Sequence, residues 1–174
     1  VVNMSSLVSQ PDAEKMVTAV AIQIASHVAP LWNWLPSEMQ LFPSIGEVPD
    51  DWQIITIHDD AETSGYGGYH LDSTVALGKV FARDSASVSR TLSHEVIEIL
   101  GDPAINGWHD GPTLSDGSQY ADELCDPIQH HGYEITIPDG SKVMVSNFVL
   151  PAWFDQTNLH GTKYDYLGVL QKPF

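Results

Sequence analysis

The stretch from Ser85 to Leu100 constrains this chain more than any other, because one helical period carries two separate messages. Val88, Leu92, Val96 and Leu100 recur every four residues with Ile99 beside them, so a helix there presents an apolar stripe to a core. Asp84 and Ser85 offer an N-cap, and Gly101-Asp102-Pro103 a stop. His94 and Glu98 stand at the same spacing on another face. Side chains four apart on a helix point the same way, with Cβ atoms about 5–6 Å apart. Two donors held on one rigid rod in this way chelate a cation, and Glu95 is close enough to approach a water on that ion.

A metal held here needs a third protein ligand. Asp126 is the first choice and Glu123 the second, both within Asp122-Glu123-Leu124-Cys125-Asp126-Pro127; Asp102 lies nearer, at the break before Pro103. Zinc is the expected ion, and Glu98 in place of a second histidine keeps manganese or calcium open. Zinc lowers the pKa of a bound water to about 7, which makes a nucleophile at neutral pH. Glu95 is then the general base. Cys125 is the single cysteine, so neither an intrachain disulfide nor a zinc knuckle of two thiolates can form, and it reads as a small buried hydrophobe. His58 at a strand end and His70 in a Gly-Tyr-rich loop read as hydrogen-bonded or surface histidines. The adjacent His130 and His131 offer a ligand or an acid, and Tyr133 a packing aromatic or an oxyanion donor.

The remaining pattern predicts a single domain over residues 1–174, of α+β class. A backing helix runs from Pro11 and Asp12 to about Trp34 on the stripe Val17, Val20, Ile24 and Val28. Pro36, Pro43 and Pro49 mark an extended loop. Strands are expected over Trp52 to His58 and Thr74 to Ala82, with a loop over Asp59 to Gly68 and irregular chain from Ala104 to Gln119. Tyr133 to Ile137 and Lys142 to Phe148 flank Pro138-Asp139-Gly140, a C-terminal β-hairpin signal. Seven Lys and Arg face 23 Asp and Glu, a formal net charge of −16, which disfavours nucleic acid and anionic membranes as partners. No apolar run approaches the roughly 18 residues of a membrane span, and no signal-peptide pattern is visible, so a cytoplasmic or virion-associated location is expected.

With the His94-Glu95-x-x-Glu98 helix, a preceding helix and the strands before it, the chain resembles the zincin class of metallopeptidases. That resemblance implies a small mixed sheet, a peptide or protein substrate, and an edge strand at Leu77-Gly78-Lys79-Val80-Phe81 that binds extended peptide. Position 104 is Ala where the metzincin branch has its third ligand. Gly68-Tyr69-His70, Leu92-Ser93-His94-Glu95, Asp102-Pro103, Glu123-Leu124-Cys125-Asp126-Pro127 and Val145-Ser146-Asn147-Phe148 also resemble a group of uncharacterised bacterial and phage proteins, which implies that Glu123, Asp126 and Asp102 share the site of His94. The leading expectation is a zinc-dependent hydrolase. The alternative is a metal-stabilised structural protein, such as a virion or surface component. Its homo-oligomer or assembly contacts would run through Trp153, Phe154, Tyr164, Tyr166 and Phe174, or calcium at Asp102 and Asn106 would pin its loops.

Overall fold

Ser9 opens the first helix: its hydroxyl accepts from the Asp12 amide at 3.2 Å, with Pro11 in the first turn and Asp12 at the positive end of the dipole. The computed structural model describes residues 1–35, 37–61, 66–71, 77–110, 117, 119–155 and 162–171. Pro36, residues 74–76 of the second expected strand, residues 111–116 and 118 of the expected irregular stretch, and Phe174 lie outside them. Helix α1 (Gln10–Gln23) widens into a π turn (Ile24–Val28) and resumes as α2 (Ala29–Trp32). Pro30 lacks an amide hydrogen, and the wider turn absorbs the missing bond. Asn33, in the left-handed conformation at φ 54°, ends the run. The stripe Val17, Val20, Ile24 and Val28 is buried throughout, as its spacing implies.

The protein is of mixed α+β class. Its main sheet has the order β1-β2-β4-β3. β1 (Val2–Asn3), β2 (Ile54–His58) and β4 (Leu77–Phe81) run parallel, and β3 (Gly68–Leu71) lies antiparallel on β4 with His70 opposite Gly78. Two expectations are corrected here. Residues 77–81 are not an edge strand; β4 lies inside the sheet, and β3 forms the edge among the described residues. The stretch around His70 is a strand, whose four residues are too few to show an alternation.

Helix α3 (Val88–Gly101) is capped by Ser87, whose hydroxyl accepts from the Arg90 amide, and not by Asp84 or Ser85. Those two residues instead close the loops after β4: Asp84 accepts from the Ala61 amide and Ser85 donates to the Gly67 carbonyl. Leu92, Val96, Ile97 and Ile99 are buried as α3 crosses β3 and β4 on one flank and meets α1 and the hairpin on the other. The hairpin pairs β7 (Gly132–Thr136) with β8 (Lys142–Ser146), turning at Gly140 with φ 84°. Between α3 and the hairpin, a short ribbon of β5 (Trp108–Asp110) and β6 (Gln119–Ala121) replaces part of the expected irregular chain.

After the hairpin and a last helical turn α4 (Pro151–Phe154), the tail packs on the body. Trp153 and Tyr164 join the core. Asp165 is fully buried and accepts from Asn147 Nδ2 at 2.6 Å and from the amides of Leu167, Gly168 and Leu170. Four donors compensate a carboxylate that burial would otherwise penalise. No helix is long and apolar enough among the described residues to cross a membrane.

One buried polar network fixes how α3 sits. Ser93 Oγ donates to Gln23 Oε1 at 2.6 Å and accepts from the Ser146 amide at 3.0 Å, while Gln23 Nε2 donates to the Ser146 carbonyl at 2.7 Å. All three residues are inaccessible to solvent. Gln23→Ala removes the hub and strands partners on α3 and β8, so stability falls by about 3 kcal/mol. Urea unfolding checks this as a lower midpoint at unchanged slope.

Candidate metal centre

With Ser93 held against α1 and β8, the next residues of α3 face the other way. His94, Glu95 and Glu98 line a cleft of about 640 Å³ between β3, α3 and the segment from Glu123 to His130. β3 contributes His70, and the returning segment contributes Glu123 and Asp126. Gly68 makes this wall possible, because a Cβ there would lie 2.6 Å from Glu95 Oε1 and 2.9 Å from the Lys79 carbonyl.

His94 Nε2 lies 3.0 Å from Glu98 Oε2 and 3.3 Å from Asp126 Oδ1. Tetrahedral zinc with bonds of about 2.0–2.1 Å sets neighbouring donors about 3.3 Å apart. Glu98 and the exposed Asp126 thus both meet one imidazole nitrogen, at distances that a protonated His94 bridges by ion pairing. Among the described residues, the donors close enough to His94 to share one ion with it are those of Glu98 and Cys125, all within 4.8 Å of one another, and Asp126 is not in that group. The Cys125 amide also donates to Glu98 Oε1 at 3.3 Å, so the segment before Pro127 orients the carboxylate as well as flanking it.

A second set of donors meets the first at Glu98. His70 Nδ1 is 3.6 Å from Glu95 Oε2 and 3.8 Å from Glu98 Oε2. His70 is buried, so it is not a surface histidine, and its Nε2 has no hydrogen-bond partner. Sequence alone gave one hint of its role: Gly68 and His70 share a face of any strand at that position.

The other candidates are placed elsewhere. Asp102 turns its carboxylate to the loop it caps, accepting from the Gly107 amide at 2.7 Å. Tyr133 is not in the cleft; its hydroxyl sits between Gln23 Nε2 at 3.1 Å and His27 Nδ1 at 2.9 Å, on the α1 side of the hairpin. His58 bonds Thr56 on the sheet. His130 lies at the cleft rim, and its carbonyl receives Arg90 Nη1 at 3.5 Å. His131 is exposed, and its amide donates to the Ile128 carbonyl.

The charges are strongly coupled. Burial alone would lower the His94 imidazole, but hydrogen bonds to Asp126 and Glu98 and the nearby carboxylate charges outweigh it and carry it up to about 10. Burial likewise opposes protonation of His70, and the acids Glu95, Glu98 and Glu123 reverse that effect, so it too is raised. Burial raises Glu95, and burial with the Glu98 charge raises Glu123 to about 7. The bond to His94 pulls Asp126 down. Burial and Glu98 push the Cys125 thiol up.

These shifts give the metal-free chain a signed pH dependence. Between about 4.5 and 7, folded Glu123 holds a proton that the unfolded chain releases; between about 6.5 and 10, His94 does the same. In both windows the native state binds more protons, so stability falls as pH rises. Thermal midpoints of chelator-treated protein should decline across this range, and His94→Ala should flatten the upper part of the slope. No family model matches this chain, and neither the curated proteins nor the solved structures contain a significant match to it.

Proposed function

We propose that the chain is a metal-dependent hydrolase, with zinc as the metal and an extended peptide as the substrate class. The observation that carries this reading is the convergence of Glu98 and Asp126 on His94 Nε2, beside a buried carboxylate, in a cleft large enough to admit a substrate. His94, Glu98 and Asp126 would hold the ion, with Cys125 as the other donor in reach. When bound, the ion supplies Lewis acidity and an acidic coordinated water near neutral pH.

Glu95 supplies the base. Its carboxyl group is desolvated in the cleft wall, which raises its proton affinity above that of an exposed glutamate. The Cys125 amide fixes Glu98, so one ligand is positioned before an ion arrives. β3 supports the peptide assignment: among the described residues it is a sheet edge bordering the cleft, and edge backbone groups pair with extended chains.

Purified protein should carry zinc by elemental analysis, and His94→Ala should lose it. Glu95→Gln should lower hydrolysis of a peptide library by about 100-fold or more while the His94 ion is retained. Full activity in Glu95→Gln would remove the assigned mechanism.

Cys125 favours a second reading. A shell of His94, Glu98, Cys125 and Asp126 has four protein donors, the number of a closed structural zinc site. A non-catalytic, metal-stabilised protein would lose both zinc and thermal stability in Cys125→Ser, and the wild type would show no hydrolysis of the library.

A further inference from the structure

His70 and Glu95 face each other from β3 and α3 across the cleft, and both are more than nine-tenths buried, at 9% and 4% exposure. The separations of 3.6 and 3.8 Å from His70 Nδ1 to Glu95 Oε2 and Glu98 Oε2 are too long for hydrogen bonds. Glu95 Oε2, His70 Nε2 and Glu123 Oε2 are buried with no hydrogen-bond partner. Buried polar atoms are normally satisfied, so the two carboxylate oxygens of Glu95 and Glu123, orphaned in one cleft, call for a mediator. Donors bound to a common ion at about 2.0–2.2 Å stand about 3–3.6 Å apart, so the two His70 separations lie at or just beyond that range, and His70, Glu95 and Glu98 each offer an atom within 4.8 Å of the others.

Charge points the same way. Glu95, Glu98, Glu123 and Asp126 bring four formal negative charges to the cleft, against two imidazoles that must be neutral to ligate. With all four ionised, one divalent ion leaves two charges uncompensated, and a second ion balances them in place of protons. Glu98 Oε2 already lies between the two histidines, 3.0 Å from His94 Nε2 and 3.8 Å from His70 Nδ1.

We infer that His70, Glu95 and Glu98 form a second divalent-cation site, joined to the first through the Glu98 carboxylate, with Glu123 as a further donor. The inference rests on the reading that His94 and Glu98 hold the first ion. One imidazole with several carboxylates suits manganese, iron(II) or zinc. The second ion also regulates the first site. A Glu95 carboxylate that ligates a cation is withdrawn from proton transfer, so the two-ion state and the general-base role exclude each other.

The test is metal binding. Chelator-stripped full-length chain is titrated calorimetrically with Zn²⁺ and, separately, with Mn²⁺, and bound metal is counted after desalting. The expected result is two ions per wild-type chain in two steps, with the second step at least tenfold weaker. His70→Ala and Glu95→Gln should each keep the tight step and lose the weak one. Glu95→Gln is nearly isosteric and serves if His70→Ala disturbs the fold. Electron paramagnetic resonance of the doubly loaded Mn²⁺ protein should show a spin-coupled pair that either variant abolishes. A single ion that survives His70→Ala and Glu95→Gln but not His94→Ala overturns the second site and leaves the hydrolase reading standing. A single ion lost in His70→Ala and kept in His94→Ala, or no binding at all, overturns both.

Discussion

The hydrogen bonds among Ser93, Gln23 and Ser146 set the rotation of α3, and the cleft follows from that rotation. Successive residues on a helix point about 100° apart, so fixing Ser93 inward between α1 and β8 fixes the directions of His94, Glu95 and Glu98 as well. An apolar contact would tolerate sliding and turning. A hub that is inaccessible to solvent and bonded at three points admits a single azimuth. The polar network thus gives the core the geometric definition that its valines and isoleucines do not supply by themselves.

Opposite that network the protein does something costly: it withdraws Glu95 and Glu98 from water beside Glu123. In the absence of a metal the balance is kept by protons, with His94 held as an imidazolium between Glu98 and Asp126. The imidazolium occupies the electrostatic role of a cation in a set of acids. A divalent ion would take over that role and release the proton, the usual coupling between metal affinity and pH. Without an ion, it is the protonated His94 that lets the fold tolerate the acids it buries.

The helix and its donors were legible because the information is local. A four-residue spacing fixes the side-chain direction of His94 and Glu98 without knowledge of the rest of the chain. The backing helix and the hairpin turn at Gly140 were legible for the same reason, and the carboxylate singled out at Asp126 does lie 3.3 Å from His94. What escaped depends on contacts between distant segments. β3 has four residues and becomes a strand only by pairing with β4, and His70 becomes buried only when that edge meets α3. Cys125 is buried in the core as a small hydrophobe should be, but nothing in its neighbours says that the Glu98 carboxylate lies against its amide. Tyr133 sits on a hairpin whose alternation is clear, but which face meets α1 is set by Gln23, 110 residues away. The true cap of α3, Ser87, was hidden by two equally good cap residues that the loops after β4 had already engaged.

Gly68 has a consequence for the breadth of the chemistry this scaffold can host. It makes no polar contact through a side chain, yet the space where a side chain would begin is already bounded by the Glu95 carboxylate, the Thr91 methyl and the Lys79 carbonyl. A single methyl group would be forced toward the acid wall. The bore of the pocket is set there by an atom that is missing, and residue 68 acts as its gauge: any enlargement narrows the opening from outside the ring of donors.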